Sequence, residues 1–99
     1  MSAENKAHVA TANRIAKRYG ATFNSGDGFD IELDELIIEV ETTATLSNAV
    51  SRLASMRGNI YIALTNKDGV EEALKLVENT RLGVMDAQGE IVKPCQVTA

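Results

Sequence analysis

The chain predicts an α/β fold with a mixed central sheet flanked by helices, on three observations. Phe29 to Glu41, reading F-D-I-E-L-D-E-L-I-I-E-V-E, alternates as the two arms of a β-hairpin do. Asn59 to Thr65, reading N-I-Y-I-A-L-T, is β-branched and apolar on both faces, the pattern of a central strand. Three segments with apolar residues at helical spacing precede, separate and follow these strands, so that helices can cover both sides of one sheet.

The hairpin is expected to turn at Asp34-Glu35, which sets Ile31 opposite Ile38, Asp30 opposite Glu39 and Phe29 opposite Val40. Directly opposed residues share a face. One face then carries Phe29, Ile31, Leu33, Leu36, Ile38 and Val40, and the other Asp30, Glu32, Ile37, Glu39 and Glu41. A one-residue slip would mix the two sets, so the hydrophobic pattern selects this register.

Before the hairpin, residues 3 to 19 predict an amphipathic helix with Val9, Ala12, Ile15, Ala16 and Tyr19 inward, Ser2 or Asn5 as its cap and Gly20 as its stop. Ala21 to Asn24 is either a short strand or the lead-in to the turn Ser25-Gly26-Asp27-Gly28. After the hairpin, the hydroxyls of Thr42 to Thr45 offer caps for a helix running to about Arg57, with Leu46, Ala49, Val50, Leu53 and Ala54 inward and Asn48, Arg52 and Ser55 on the far side.

Beyond the central strand, Asp68 and Glu71 resemble a capping box opening a helix that ends near Thr80. Arg81 to Met85 is a further strand, Asp86 to Gly89 a turn, and Glu90 to Lys93 a short antiparallel return before Pro94. The last five residues are expected to fray.

Ninety-nine residues, 44% hydrophobic and 24% charged, describe a single globular domain, 1–99, with a core of its own. One cysteine, Cys95, excludes a disulfide framework and a cysteine-rich zinc site. With no apolar run of membrane-spanning length and no secretory pattern, the expectation is a cytoplasmic protein without membrane contact. The net charge of −4 hides an uneven distribution. Seven of the fourteen carboxylates (Asp27, Asp30, Glu32, Asp34, Glu35, Glu39, Glu41) occupy fifteen consecutive residues without a Lys or Arg, leaving ten basic and seven acidic groups elsewhere. Two carboxylates 4 Å apart repel by roughly 4 kcal/mol at a surface-like dielectric, a cost that a bound divalent cation would offset.

Asp30, Glu39 and Glu41 are the candidates for that chemistry, with the Val40 carbonyl as a further oxygen. Hard cations such as Mg²⁺ or Mn²⁺ take oxygen ligands and keep much of their water, so two or three carboxylates on a rigid scaffold suffice. A solvated acidic sheet face that blunts aggregation is the plainer explanation of the same residues.

The string G-F-D-I…L-I-I-E-V-E-T, following a helix that ends in R-Y-G, resembles the core of the PD-(D/E)XK, or restriction-endonuclease-like, nuclease superfamily. The Holliday-junction resolvase and archaeal restriction-like branches are the most similar. The resemblance spans nearly the whole chain and implies a core ordered α-β-β-β-α-β, with the acids on a β-meander. It implies that Asp30 and Glu39 hold Mg²⁺ or Mn²⁺ and that DNA is the substrate; in so short a chain, specificity is expected to come from DNA shape, a homodimer or a partner protein. Glu41 stands where the family usually has a lysine that positions or activates water, and Phe29 precedes the first acid where proline is frequent. Some members use E-x-E, so Glu41 would be a base or a further metal ligand. Some also carry a glutamate on the first helix; Glu4 is the acid there, and His8 lies nearer the expected level. Arg52 and Asn48 are candidates for phosphate contact, as are Arg14, Lys17, Arg18 and Arg57, against the simpler role of solubilising charges. The resemblance leaves two functions: a small metal-dependent DNA endonuclease, or an inactive nuclease-fold domain that binds nucleic acid or protein.

Overall fold

The computed structural model describes residues 6–24 and 28–96. Its elements run α1 (Lys6–Arg18), β1 (Ile31–Leu33), β2 (Leu36–Glu41), α2 (Thr43–Leu53), β3 (Ile60–Leu64), α3 (Lys67–Leu76), β4 (Gly83–Met85) and β5 (Ile91–Lys93). The five strands form one mixed sheet in the order β1-β2-β3-β4-β5. β1 and β2 are antiparallel, β2, β3 and β4 parallel, and β4 and β5 antiparallel. Each parallel step is carried by a crossover helix, as the geometry of such a step requires.

Alternation along the strands divides the core in two. Ala12, Ile15 and Ala16 of α1 pack on Ile31, Ile38, Val40, Tyr61, Ala63 and Met85. On the opposite face α2 and α3 bring Leu46, Ala49, Val50, Leu53, Val70, Ala73 and Val77 onto Ile60, Ile62, Leu64 and Val84. All five residues of β3 are buried, as expected of a strand covered on both faces. The molecule is a three-layer α/β sandwich.

The hairpin register is the expected one: Ile31 pairs with Ile38, Glu32 with Ile37 and Leu33 with Leu36. Gly20 takes φ +69°, and Ala21 N–H donates to Ala16 O at 2.8 Å while Gly20 N–H donates to Lys17 O, a left-handed stop to α1.

Several expectations are corrected. Of the two alternatives for Ala21 to Asn24 the lead-in holds and the strand does not, with Asn24 N–H donating to Asp30 O, so the described residues form a two-stranded hairpin there and not a three-stranded meander. α2 ends at Leu53 and not near Arg57; Ala54, still packed on the core, is its C-cap, and Met56 N–H turns back to Leu53 O. Asn66, not Asp68, caps α3, because its side chain accepts the Gly69 N–H at 2.8 Å; Asp68 sits in the first turn, where its charge suits the helix dipole. Cys95 and Gln96 are not frayed: Cys95 N–H donates to the Tyr61 hydroxyl and Gln96 N–H to Arg81 O. The caps Ser2 and Asn5, the turn residues 25–27 and residues 97–99 lie outside the described residues.

Candidate functional site

The site forms where the β1–β2 ladder opens. Pairing stops at Ile31 and Ile38. In the next position Val40 N–H donates not to a main-chain carbonyl of the facing arm but to Asp30 Oδ2, at 2.9 Å. Asp30's own N–H donates to Glu39 Oε2 at 2.7 Å. Two side chains thus replace the ladder and hold the carboxyl groups of Asp30 and Glu39 next to each other. Asn24 N–H donates to Asp30 O at 2.7 Å, closing the preceding loop, in which Gly28 supplies a left-handed φ of +98°.

This exchange also corrects the face assignment. Phe29 packs with Ile37 on the α2/α3 side instead of sharing the face of Ile31 and Ile38. Strict alternation does not reach Phe29 because the chain leaves the sheet at Asp30.

Glu39 and Glu41 point to the α2 side, two residues apart on β2, and are only 6% and 9% exposed. A solvated sheet face therefore does not describe them. Thr45, in the first turn of α2, donates its hydroxyl to Glu41 Oε1 at 2.6 Å. Arg52 Nη2, about two turns further along α2, lies 3.4 Å from Glu39 Oε1 and 3.9 Å from Glu41 Oε2. On the α1 side, His8 Nε2 lies 3.2 Å from Asp30 Oδ2, and the imidazole meets Phe23 edge-on at 5.8 Å.

Burial raises the carboxyl pKa of Glu39, with the Asp30 charge adding to it and the Asp30 N–H and Arg52 opposing it. Burial also raises that of Glu41, reinforced by the charges of Glu39 and Asp30, with Thr45 and Arg52 opposing it. In both groups burial outweighs the hydrogen bonds and the Arg52 charge that favour the carboxylate.

The donors at this place are the carboxylates of Asp30 and Glu39 and the Val40 carbonyl, which leaves the strand on the same edge as the N–H that meets Asp30. An all-oxygen set of this kind fits a hard divalent cation that keeps part of its water. Among the described residues no group of three or more His, Cys, Asp or Glu side chains is arranged to enclose a metal ion, so the protein's share of such a shell would be small.

The structure brings Asp30, Glu39, Val40 and Glu41 to one locality, with His8 on one side and Arg52 on the other. Glu4 lies outside the described residues. Asn48, Lys17 and Arg57 are exposed. Arg14 and Arg18 are engaged elsewhere, donating to the carbonyls of Ala87 and Gln88. Thr45, read from sequence only as a possible cap, belongs to the site. Its signal was present in the strand-to-helix junction, since a hydroxyl in the first turn of α2 is near the end of β2.

Among the described residues, no helix is long and apolar enough to cross a membrane. Comparison of the chain with protein-family models, curated proteins and solved structures finds no match.

Proposed function

We propose that this chain is a small divalent-metal-dependent nuclease that hydrolyses DNA phosphodiester bonds, built on a restriction-endonuclease-like core. The observation that carries this reading is the crosswise pairing of Asp30 and Glu39, which sets two carboxylates side by side on main-chain supports. Further support comes from the element order, helix, acid-bearing hairpin, helix and strand, which follows the order the sequence resemblance implies apart from a third strand of the meander, which the described residues do not form.

In this reading Asp30, Glu39 and the Val40 carbonyl hold Mg²⁺ or Mn²⁺. The bound ion supplies Lewis-acid polarisation of the scissile phosphate and a lower pKa for the attacking water. Glu41, its Oε1 held by Thr45, orients that water or takes its proton. His8 positions Asp30 from α1. In this reading specificity comes from DNA shape, a second copy or a partner protein.

A second reading is an inactive domain of the same fold that binds nucleic acid or protein. It is favoured by Glu41 at the position of the family lysine, with Arg52 beside it. One experiment separates the two. Single-stranded, duplex and four-way-junction DNA are incubated with the protein in Mg²⁺ and in Mn²⁺, alongside Asp30→Asn and Glu39→Gln. Cleavage by the wild type that both variants lose is the expected result. No cleavage, with Mg²⁺ raising the Tm of the wild type alone, selects the second reading; no effect of metal and no DNA binding rejects the nuclease.

A further inference from the structure

Arg52 is placed unlike an ordinary structural ion-pair partner. One nitrogen, Nη2, is shared between Glu39 Oε1 and Glu41 Oε2, at 3.4 and 3.9 Å. Both distances are long for a charge-assisted hydrogen bond, which is usually below about 3 Å. The carboxylates are nearly buried, whereas the Arg52 side chain is 56% exposed. α2 therefore anchors the arginine at its stem, while the head rests on two fixed anions without locking to either. Glu39 is better held on its other oxygen, by the Asp30 N–H at 2.7 Å, and Glu41 by Thr45 at 2.6 Å. If Arg52 left, neither glutamate would lose the bond that positions it.

We propose, resting on the reading of Asp30 and Glu39 as cation ligands, that Arg52 is a displaceable counter-ion. It neutralises Glu39 and Glu41 while no divalent cation is held, and it competes with that cation for Glu39. A guanidinium and a divalent cation on the same carboxylate repel, so each weakens the hold of the other by the same factor. The side chain, 56% exposed, has solvent to swing into. Cation occupancy is thereby set by the balance between one mobile arginine and the ion, and not by the carboxylates alone.

The test is calorimetric titration of the full chain with Mn²⁺, comparing wild type, Arg52→Gln and Arg52→Lys, together with Tm values with and without Mn²⁺. Arg52→Gln should bind Mn²⁺ about fivefold or more tightly than wild type, within the usual range of such couplings. Its Tm without metal should be lower and its gain on adding Mn²⁺ larger. Arg52→Lys, which keeps the charge, should stay close to wild type. Mn²⁺ binding by Arg52→Gln that is unchanged or weaker, with wild type binding the ion, overturns the counter-ion role and leaves the metal-site reading standing. No Mn²⁺ binding by any of the three folded proteins overturns both.

Discussion

The N–H of Asp30 donates to Glu39 Oε2 at 2.7 Å, and the carboxylate of Asp30 in turn accepts the N–H of Val40, the residue after Glu39, at 2.9 Å. Val40 is only 1% exposed, so its N–H depends on that carboxylate for a partner. Asp30→Ala should therefore destabilise the fold by about 1–3 kcal/mol, the cost of a buried donor left unpaired. Asp30→Asn keeps an acceptor oxygen and should cost about 1 kcal/mol or less, while removing the charge. Denaturant unfolding of the two variants measures the difference. Equal losses would mean that the side chain does not close the ladder.

Glu39 and Glu41 both have raised carboxyl pKa values, first through burial. The folded state thus binds protons more readily than the unfolded one between the ordinary glutamate pKa and the raised values. Stability from these groups is fully present below the ordinary value and is lost as pH rises through the raised ones. The Tm of the metal-free protein should accordingly increase as pH falls from 7 towards the acid range. Glu41→Gln, whose amide oxygen can still accept the Thr45 hydroxyl, should be more stable than wild type at pH 7 and show a shallower pH dependence. A steeper dependence in the variant would contradict the burial of this charge.

The same stretch separates what residue pattern can reveal from what it cannot. The register of Ile31 on Ile38 was readable because a slip would have put apolar side chains on the wrong face. β3 was readable as central because its residues are apolar on both sides. Phe29 departs from the pattern because alternation carries no notice that a side chain, Asp30, takes over a ladder bond. The cap of α3 lies two residues before the expected one for a related reason. Asn66 and Asp68 are equally good caps in isolation, and the end of β3 decides between them by where the chain leaves the sheet. At the site, the three acids were legible as crowded charge and His8 by its level on the first helix, but the particular contacts that define their environment were not. His8, Thr45 and Arg52 meet them across 22, 4 and 13 residues of sequence. Helix position alone put Arg52 on the face away from the core, and a long arginine reaches round a helix edge to a carboxylate.

Tyr61 and Gly83 are register partners on the adjacent strands β3 and β4, and a Cβ added at Gly83 would lie 2.4 Å from Tyr61 Cε1 and 2.7 Å from the Cys95 nitrogen. The ring lies across the glycine, and its hydroxyl accepts the Cys95 N–H at 3.1 Å. Gly83→Ala should cost about 1–3 kcal/mol or more, as overpacking in a core does. Combined with Tyr61→Ala, the loss should be less than additive, because the smaller side chain removes the ring that the methyl group meets. A double-mutant cycle by denaturant unfolding reads this coupling, and strict additivity would refute it.

The C-terminal half of α1 holds the turn between β4 and β5. Arg14 Nη1 donates to Ala87 O at 2.7 Å, Arg18 Nη1 to Gln88 O at 2.8 Å, and the Tyr19 hydroxyl to Gly89 O at 2.8 Å. Gly89 is buried there at φ +82°, with Arg18 Cδ 3.3 Å from where a Cβ would stand. The turn thus depends on one partly buried phenol, two exposed arginines and a backbone conformation that favours glycine. Tyr19→Phe should cost about 1 kcal/mol, the value of one hydrogen bond. Arg14→Gln and Arg18→Gln should each change stability by about 0.5 kcal/mol or less, as exposed substitutions do. Gly89→Ala should cost about 1 kcal/mol or more, since it adds left-handed strain to the contact with Arg18. Hydrogen exchange at the amides of Gln88, Gly89 and Glu90 distinguishes a local effect from a global one. Those three amides should exchange faster in Tyr19→Phe by a larger factor than the amides of β3; a uniform acceleration would show that α1 supports the whole sheet and not this turn.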